Sequence, residues 1–296
     1  MWWPRRSGST MSEIRIATRR SVLALAQART VGEILRAVDS GLSVELIEID
    51  SDGDRDQSSA IAQLTELGAF VRAVQQAVID GRADLAVHSL KDLPVVGPDE
   101  LVIAAVPSRA APFDVVVGSS LDELRPGAVV GTGSPRRTAQ LNRHRPDLRT
   151  TQLRGNVDTR LRKIDAGEVD AAVLAEAGLE RLGKTDAIAQ RLAVEEMVPA
   201  PGQGALAVEA RRGSEAAAMA GTMDDDQLRV LLSAERALLA ETGAGCRSSL
   251  GALATWDRGQ IRLDVFVADE RGPRQTMVLG DDVRTVVSAA REELGL

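Results

Sequence analysis

Short apolar runs alternate along most of the chain with longer stretches in which apolar residues recur every three or four positions. The short runs predict strands at 13–18, 43–49, 84–87, 101–106, 114–118, 128–133, 149–153 and 170–175. The longer stretches predict helices at 21–38 and 69–81 and between the later strands, and Gly81 is a typical helix stop. This alternation is typical of parallel sheets covered by helices.

The order of elements also predicts domains. The segment SRAAPFD (108–114) is interpreted as a crossover between two α/β units, and PAPGQGALAVEA (199–210) as the return. From about residue 224 a long helix is followed by strands near 250–255, 261–268 and 275–279 and a terminal helix. We therefore predict a disordered extension at 1–11, domain 1 at 12–107 plus 205–222, domain 2 at 108–204, and an α+β domain 3 at 223–296.

Composition narrows the classes of function. A net charge of −7 argues against a nucleic-acid partner, and an aromatic content of 2% argues against base stacking. No apolar run reaches transmembrane length, so no membrane partner is expected. Cys246 is the only cysteine, which favours a reducing, cytoplasmic setting, and the two histidines are too isolated to predict a metal site.

The stretch DLAVHSLKDLP (84–94) places ionisable side chains directly after a predicted strand. Lys91 and Asp92 follow the apolar run at the strand's carboxyl end, which is where open α/β sheets hold ligands and catalytic groups. The alternative is that both are solvated loop charges.

A second cluster of charge lies in GTGSPRR (131–137). Ser134 is a good N-cap and Pro135 suits the first helical position, so Arg136 and Arg137 fall in the first turn of a helix. Cations are disfavoured there by roughly 0.3–1 kcal/mol each. The arrangement predicts a bound anion; the alternative is a pair of surface arginines matched by nearby acids.

Arginine recurs at two more junctions between a strand and a helix. Arg154 and Arg160 flank a helix start capped by Asn156, and Arg19 and Ser21 lie at the first junction. Three such junctions in two α/β units predict one polyanionic ligand held by charge-assisted contacts. We expect the clustered arginines to repel one another without ligand, so that single Leu replacements leave stability unchanged or slightly higher.

Three partial motifs are set aside. GLERLGKT (178–185) matches the phosphate-loop pattern, but its intervening residues are good helix formers and Glu180 would face the phosphates. DSDGDRD starts like a calcium loop, but Arg55 and Ile61 replace the turn glycine and the final glutamate. GTGSPR lacks the last glycine of a dinucleotide fingerprint.

Together IATRRSVLALAQ, HSLKDLP, GTGSPRR, LRGNVDTRLRK, LAEAGLERLG and PAPGQGALAVE resemble the porphobilinogen deaminase family, from Ile14 into the C-terminal region. The resemblance implies two periplasmic-binding-protein-like α/β domains with a small α+β C-terminal domain, and a monomer. It implies a transferase of tetrapyrrole (haem) biosynthesis that condenses four porphobilinogen molecules head to tail into hydroxymethylbilane and releases ammonia. It also implies a dipyrromethane cofactor joined through a thioether to Cys246.

The resemblance assigns roles to particular residues. Asp92 matches the catalytic carboxylate, and a carboxylate suits the chemistry because loss of the aminomethyl nitrogen leaves a cationic azafulvene. Lys91 matches a carboxylate binder. The remaining residues implied to bind cofactor and substrate are Arg15, Arg19, Ser21, Ser134, Arg136, Arg137, Arg154, Arg160 and Arg181. Arg15 is the weakest match because it lies inside the first predicted strand.

The sequence departs from the family pattern near the cysteine and at the first crossover. Ala244 replaces a glycine before Cys246, Ser249 replaces a proline, and RAAPFD lacks an acidic residue and a second arginine. ELGAF (66–70) lacks a lysine often found there. A non-catalytic anion-binding protein of the same architecture is the alternative function, and it requires neither Asp92 nor Cys246.

Overall fold

The computed structural model describes residues 11–50, 60–242 and 249–296, and the backbone alone for 60–67. The strands are β1 Glu13–Arg19, β2 Ser43–Ile49, β3 Leu85–Ser89, β4 Leu101–Ala105, β5 Asp114–Val117, β6 Val129–Gly131, β7 Arg149–Thr151, β8 Ala171–Ala175, β9 Ile188–Arg191, β10 Leu206–Arg211, β11 Leu250–Asp257, β12 Gln260–Asp269 and β13 Gly272–Gly280. The helices are α1 Val22–Val38, α2 Ala60–Ile79, α3 Pro135–His144, α4 Val157–Asp165, α5 Glu176–Arg181, α6 Glu215–Gly221, α7 Asp226–Glu241 and α8 Val283–Leu294.

The first sheet has the strand order β2-β1-β3-β10-β4. β1 runs parallel to β2 and β3, whereas β10 is antiparallel to β4. Ile14 and Ile16 on β1 are fully buried with Val31 and Leu35 of α1, which explains the recurring apolar positions of both segments. α1 begins where the Ser21 hydroxyl accepts the backbone N–H of Ala24 at 3.2 Å.

The second sheet has the order β7-β6-β8-β5-β9. β6 is parallel to β7 and β8, while β5 is antiparallel to both β8 and β9. β5 is buried along its whole length, from Asp114 to Val117, and its valines pack into two hydrophobic clusters, Val116 in one and Val115 and Val117 in the other. Its first residue is therefore a carboxylate placed inside the protein.

The third sheet is the antiparallel meander β11-β12-β13, and one of its faces packs with α7 and α8 around Val265 and Val287. This confirms the mixed α/β class with a small α+β C-terminal part. The prediction of parallel sheets is wrong, because β10 and β5 are each the fourth of five strands in the first and second sheets and run antiparallel to a neighbour.

The chain forms two compact units. The first comprises Met1–His88, Gly97–Pro107 and Leu206–Asp225; the second comprises Ser89–Val96, Ser108–Ala205 and Asp226–Leu296. The second unit thus contains both the second and the third sheet, and the limits given above for three domains remain a prediction. Among the described residues, no helix is both long and apolar enough to cross a membrane.

Candidate functional site

The chain makes a single 3₁₀ turn, Leu90–Asp92, directly after β3. Leu90 is 1% exposed, and its backbone N–H donates to the carbonyl oxygen of Ala205 at 3.0 Å. The buried leucine fixes the start of the turn, so the side chains of Lys91 and Asp92 are partly exposed beside it. The predicted ending of a buried strand in ionisable groups is confirmed.

The loop at 202–204 packs against this turn and tolerates only glycine at two positions. Gly202 has φ +74°, and a Cβ there would lie 3.1 Å from the backbone nitrogen of Lys91. Gly204 has φ +86°, and a Cβ there would lie 2.4 Å from the carbonyl oxygen of Ala110. The two glycines of PGQG therefore allow the loop to approach the turn closely.

Arg136 and Arg137 lie in the first turn of α3, as predicted, with Ser134 capping the helix. Their anion is Asp114, whose side chain is fully buried at the start of β5. Asp114 accepts from Nη1 of Arg136 at 2.7 Å and from Nε and Nη2 of Arg137 at 3.0 and 2.7 Å. The repulsion expected between Arg136 and Arg137 is present, but without any ligand it is offset by a carboxylate of the protein itself, which contacts both guanidiniums.

The pKa of Asp114 follows from these contacts. Burial alone would raise the pKa of this carboxyl, but the positive charges of Arg136 and Arg137 hold it well below its usual value. Burial also lowers the pKa of Arg136, against the attraction of Asp114. Asp114 therefore stays ionised and keeps both guanidiniums in fixed positions.

Gln203, which the sequence did not single out, connects this ion cluster to the Leu90–Asp92 turn. Its amide nitrogen donates to Oδ1 of Asp114 at 3.0 Å and to the carbonyl oxygen of Pro112 at 2.8 Å. Its amide oxygen accepts from Nζ of Lys91 at 3.3 Å. The flanking glycines were the available signal, since they show that the backbone makes a close approach at this point.

Lys91 lies within electrostatic range of Asp92, Asp114, Arg136 and Arg137. Burial, reinforced by the two arginines and opposed by the two carboxylates, lowers the pKa of Lys91 to about 8. The Asp92 carboxylate has no hydrogen-bond partner among the residues that the structure describes. It is therefore available to a ligand.

Arg160 adds a cation that has no carboxylate partner within the described part of the chain. Its Nε donates to the carbonyl oxygen of Gly155 at 2.9 Å. Burial, together with repulsion from Arg137, lowers its pKa to about 10. Arg154 is partly buried in the same loop, and its side chain makes no hydrogen bond to a described residue. Both observations fit a site that receives an anionic ligand.

Arg181 ends α5, and its Nη2 donates to the carbonyl oxygen of Gly204 at 2.6 Å. Burial lowers its pKa. Gly178 to Arg181 are helical, so no phosphate-binding loop forms there, and the helical interpretation of GLERLGKT is confirmed.

Arg15, Arg19 and Ser21 belong to the first unit. Ser21 caps α1, and the Arg19 guanidinium lies 3.8 Å from the centroid of the Phe70 ring. Arg15 lies near the amino end of β1, at the opposite end from Arg19, and its Nη2 contacts Asp84 at 2.9 Å. The structure therefore gives Arg15 a partner within the protein and separates it from the carboxyl end of the strand. Cys246 lies outside the described residues.

The fold and these side chains define an α/β protein with a group of buried and partly buried cations. Residues 14–219 match the family model described as porphobilinogen deaminase, dipyromethane cofactor binding domain. The chain belongs to the porphobilinogen deaminase family.

Two relatives and one solved structure are similar to this chain to different extents. The chain is 44% identical over 274 residues to porphobilinogen deaminase of Acidothermus cellulolyticus, covering 90% of this chain and 82% of the relative. It is 48% identical over 245 residues to porphobilinogen deaminase of Mycobacterium marinum, covering 81% and 77%. The periplasmic VFT2 domain of BvgS from Bordetella pertussis aligns with a TM-score of 0.42 and 17% identity, over 72% of this chain and 86% of that domain.

Proposed function

We propose that the protein is a transferase that condenses four porphobilinogen molecules head to tail into hydroxymethylbilane, with release of ammonia, in tetrapyrrole biosynthesis. Its family membership supports this activity. The observation that carries the proposal is a set of four cations (Lys91, Arg136, Arg137 and Arg160) that are grouped, among the described residues, with two carboxylates, Asp92 and Asp114. We further propose that it acts in the cytoplasm as a monomer.

The cations are proposed to bind the acetate and propionate groups of the substrate. Four positive charges against two negative ones leave an excess of positive charge, and a ligand with several carboxylates would neutralise it. Arg160 is best suited to contact the ligand, because it has no carboxylate of the protein beside it in the described residues. Arg154, Arg181, Arg19 and the serines that cap α1 and α3 are proposed to assist.

The same residues fit a dipyrromethane cofactor, since that group also carries acetate and propionate chains. The fit rests on the donor set, which consists of buried or partly buried cations such as Arg160 whose pKa is lowered because no anion compensates its burial. We propose that Cys246 holds the cofactor through a thioether. When bound, the cofactor supplies the terminal pyrrole carbon at which chain growth starts.

Asp92 is proposed as the catalytic residue. As the aminomethyl C–N bond breaks, the nitrogen leaves as ammonia and the pyrrole ring that remains is cationic. The Asp92 carboxylate would stabilise that charge, and the effect is largest where the site excludes water. A carbon–carbon bond then forms between the methylene carbon of that cation and the free α-carbon of the chain's terminal pyrrole, and that α-carbon loses its proton. After four additions, water adds to the methylene carbon at the released end and supplies the hydroxyl group of hydroxymethylbilane.

The decisive test is to incubate the purified protein with porphobilinogen and to measure ammonia, product and protein mass. We expect four molecules of ammonia per hydroxymethylbilane and an intact mass above that of the sequence by two linked pyrrole units. A protein that binds porphobilinogen but releases no ammonia would be the non-catalytic binding protein instead, and the proposal would fall.

A further inference from the structure

Helix α7 contacts the chain immediately after Asp92. Nη1 of Arg236 donates to the carbonyl oxygen of Leu93 at 3.1 Å, and its Nη2 donates to those of Pro94 and Val95 at 2.8 and 3.4 Å. One guanidinium thus interacts with three successive carbonyls, the first of which belongs to the residue bonded to Asp92. Hydrogen bonds from a charged donor are stronger than neutral ones, so this contact restrains the backbone.

The Leu90–Asp92 turn lies between two buried side chains, Leu90 and Leu93, whereas Lys91 and Asp92 between them are only partly buried. Its internal support is a bond from the backbone N–H of Leu93 to the carbonyl oxygen of Leu90 at 3.1 Å. Ala205 holds the start of the turn, as described above, and Arg236 holds its exit. Beyond Leu93 the side chains of Pro94 and Val95 are exposed, so they give no buried anchor.

The position of α7 is itself well fixed, because Glu235, the residue before Arg236, is fully buried and binds three other segments. Its carboxylate accepts from the backbone N–H of Gly202 at 2.6 Å, from that of Ala254 at 2.9 Å and from Nη1 of Arg109 at 2.6 Å. Consistent with these contacts, Ser89–Val96 belongs to the same compact unit as α7 rather than to the unit that contains most of β3.

We propose that Arg236 is a positioning residue for the reaction, holding the backbone that carries Asp92 so that the carboxylate is correctly placed. The proposal rests on the catalytic role proposed for Asp92. Arg236 is not expected to touch the substrate, because its guanidinium is engaged by the carbonyls of residues 93–95.

The test compares Arg236→Met with Arg284→Met, which removes an exposed arginine from α8. Because a misplacement of about 1 Å can cost up to roughly 100-fold in rate, we expect kcat of Arg236→Met to fall about 10- to 100-fold. The KM for porphobilinogen, the mass of the bound cofactor and the melting temperature should stay near the wild-type values, since water can solvate the exposed carbonyls of Pro94 and Val95. Arg284→Met should retain the wild-type kcat.

Making the same substitution in a variant whose Asp92 is already changed distinguishes a positioning role of Arg236 from a general effect on the structure. In Asp92→Glu the carboxylate is already displaced, so adding Arg236→Met should cost less than in the wild type. Unchanged kcat in Arg236→Met, or an equal loss in both backgrounds, would overturn the proposal. If Arg236→Met does not fold, Arg236→Lys serves the same comparison, since an ammonium cannot bridge all three carbonyls. A wild-type protein that releases no ammonia would instead refute the proposed function.

Discussion

Asp114→Asn should destabilise the protein far more than its small change in shape suggests. The Asp114 carboxylate accepts four hydrogen bonds, one from Arg136, two from Arg137 and one from Gln203. The single amide oxygen of asparagine can take over the three bonds at the Oδ1 position. Its NH₂ group would then face Nη1 of Arg136, where the carboxylate now accepts at 2.7 Å, and two donors would oppose each other.

The magnitude follows from burial. Asp114 is fully buried, and Arg136 and Arg137 are 3% and 6% exposed, so water cannot replace the lost anion. Removing one partner of a buried ion pair costs about 3–5 kcal/mol, because the other charge stays buried without compensation. The matched control is Asp158→Asn, which breaks an exposed pair with Lys184 at 2.8 Å and should cost about 0–1 kcal/mol.

Urea unfolding at pH 7, followed by circular dichroism, measures both variants against the wild type. The difference in the free energy of unfolding between the wild type and Asp114→Asn should also depend on pH. Because the folded-state pKa of Asp114 lies below its unfolded value of about 3.9, its stabilising contribution is complete above that value and is lost as the pH falls towards the folded pKa. A loss from Asp114→Asn no larger than that from Asp158→Asn would refute the reasoning.

Four further predictions concern the proposed reaction and the loop beside it. Asp92→Asn should fold normally, but its kcat should fall about 10²- to 10³-fold. Near-normal ammonia release would contradict the catalytic role of Asp92. Cys246→Ala should show the mass of the bare sequence, and a persisting adduct would disprove the attachment. The KM for porphobilinogen should rise as the pH passes about 8, where Lys91 loses its charge, and Lys91→Arg should abolish that rise; an identical pH profile would exclude Lys91. Gly204→Ala should have a much lower melting temperature than Gly213→Ala. Both glycines have positive φ, but only at Gly204 would the new Cβ lie within 2.4 Å of a carbonyl oxygen. Equal melting temperatures would count against this close approach of the loop at 202–204.

Local signals in the sequence predicted local structure well. Ser134 and Asn156 each cap a helix as expected, because an N-cap depends only on the residues within one turn of it. Ser21, expected at a junction between a strand and a helix, also caps its helix. The buried strands were found for the same reason, since their apolar residues are contiguous. β9 was missed because its sequence, IAQR, contains no apolar run.

Interactions between distant segments could not be predicted in this way. The position of Arg136 predicted a bound anionic ligand, and the sequence did not show that Asp114, 22 residues earlier, pairs with this arginine. The antiparallel direction of β10 and the bridging role of Gln203 likewise depend on segments that meet only in the folded chain. Leu replacement of Arg136 or Arg137 is now expected to reduce stability, because either change removes a buried partner of Asp114.

The position of β10 sets an order for folding during synthesis. β4 pairs with no strand of the first sheet except β10, which is made about a hundred residues later, roughly 5–20 s at ordinary rates of translation. The last strand of the second sheet ends at Arg191, so all its strands can pair while the first sheet still has a gap between β3 and β4. During that interval the unpaired edges of β3 and β4 are open to pairing with other nascent chains. A chaperone that binds extended segments would therefore act on the earlier-made sheet rather than on the later one.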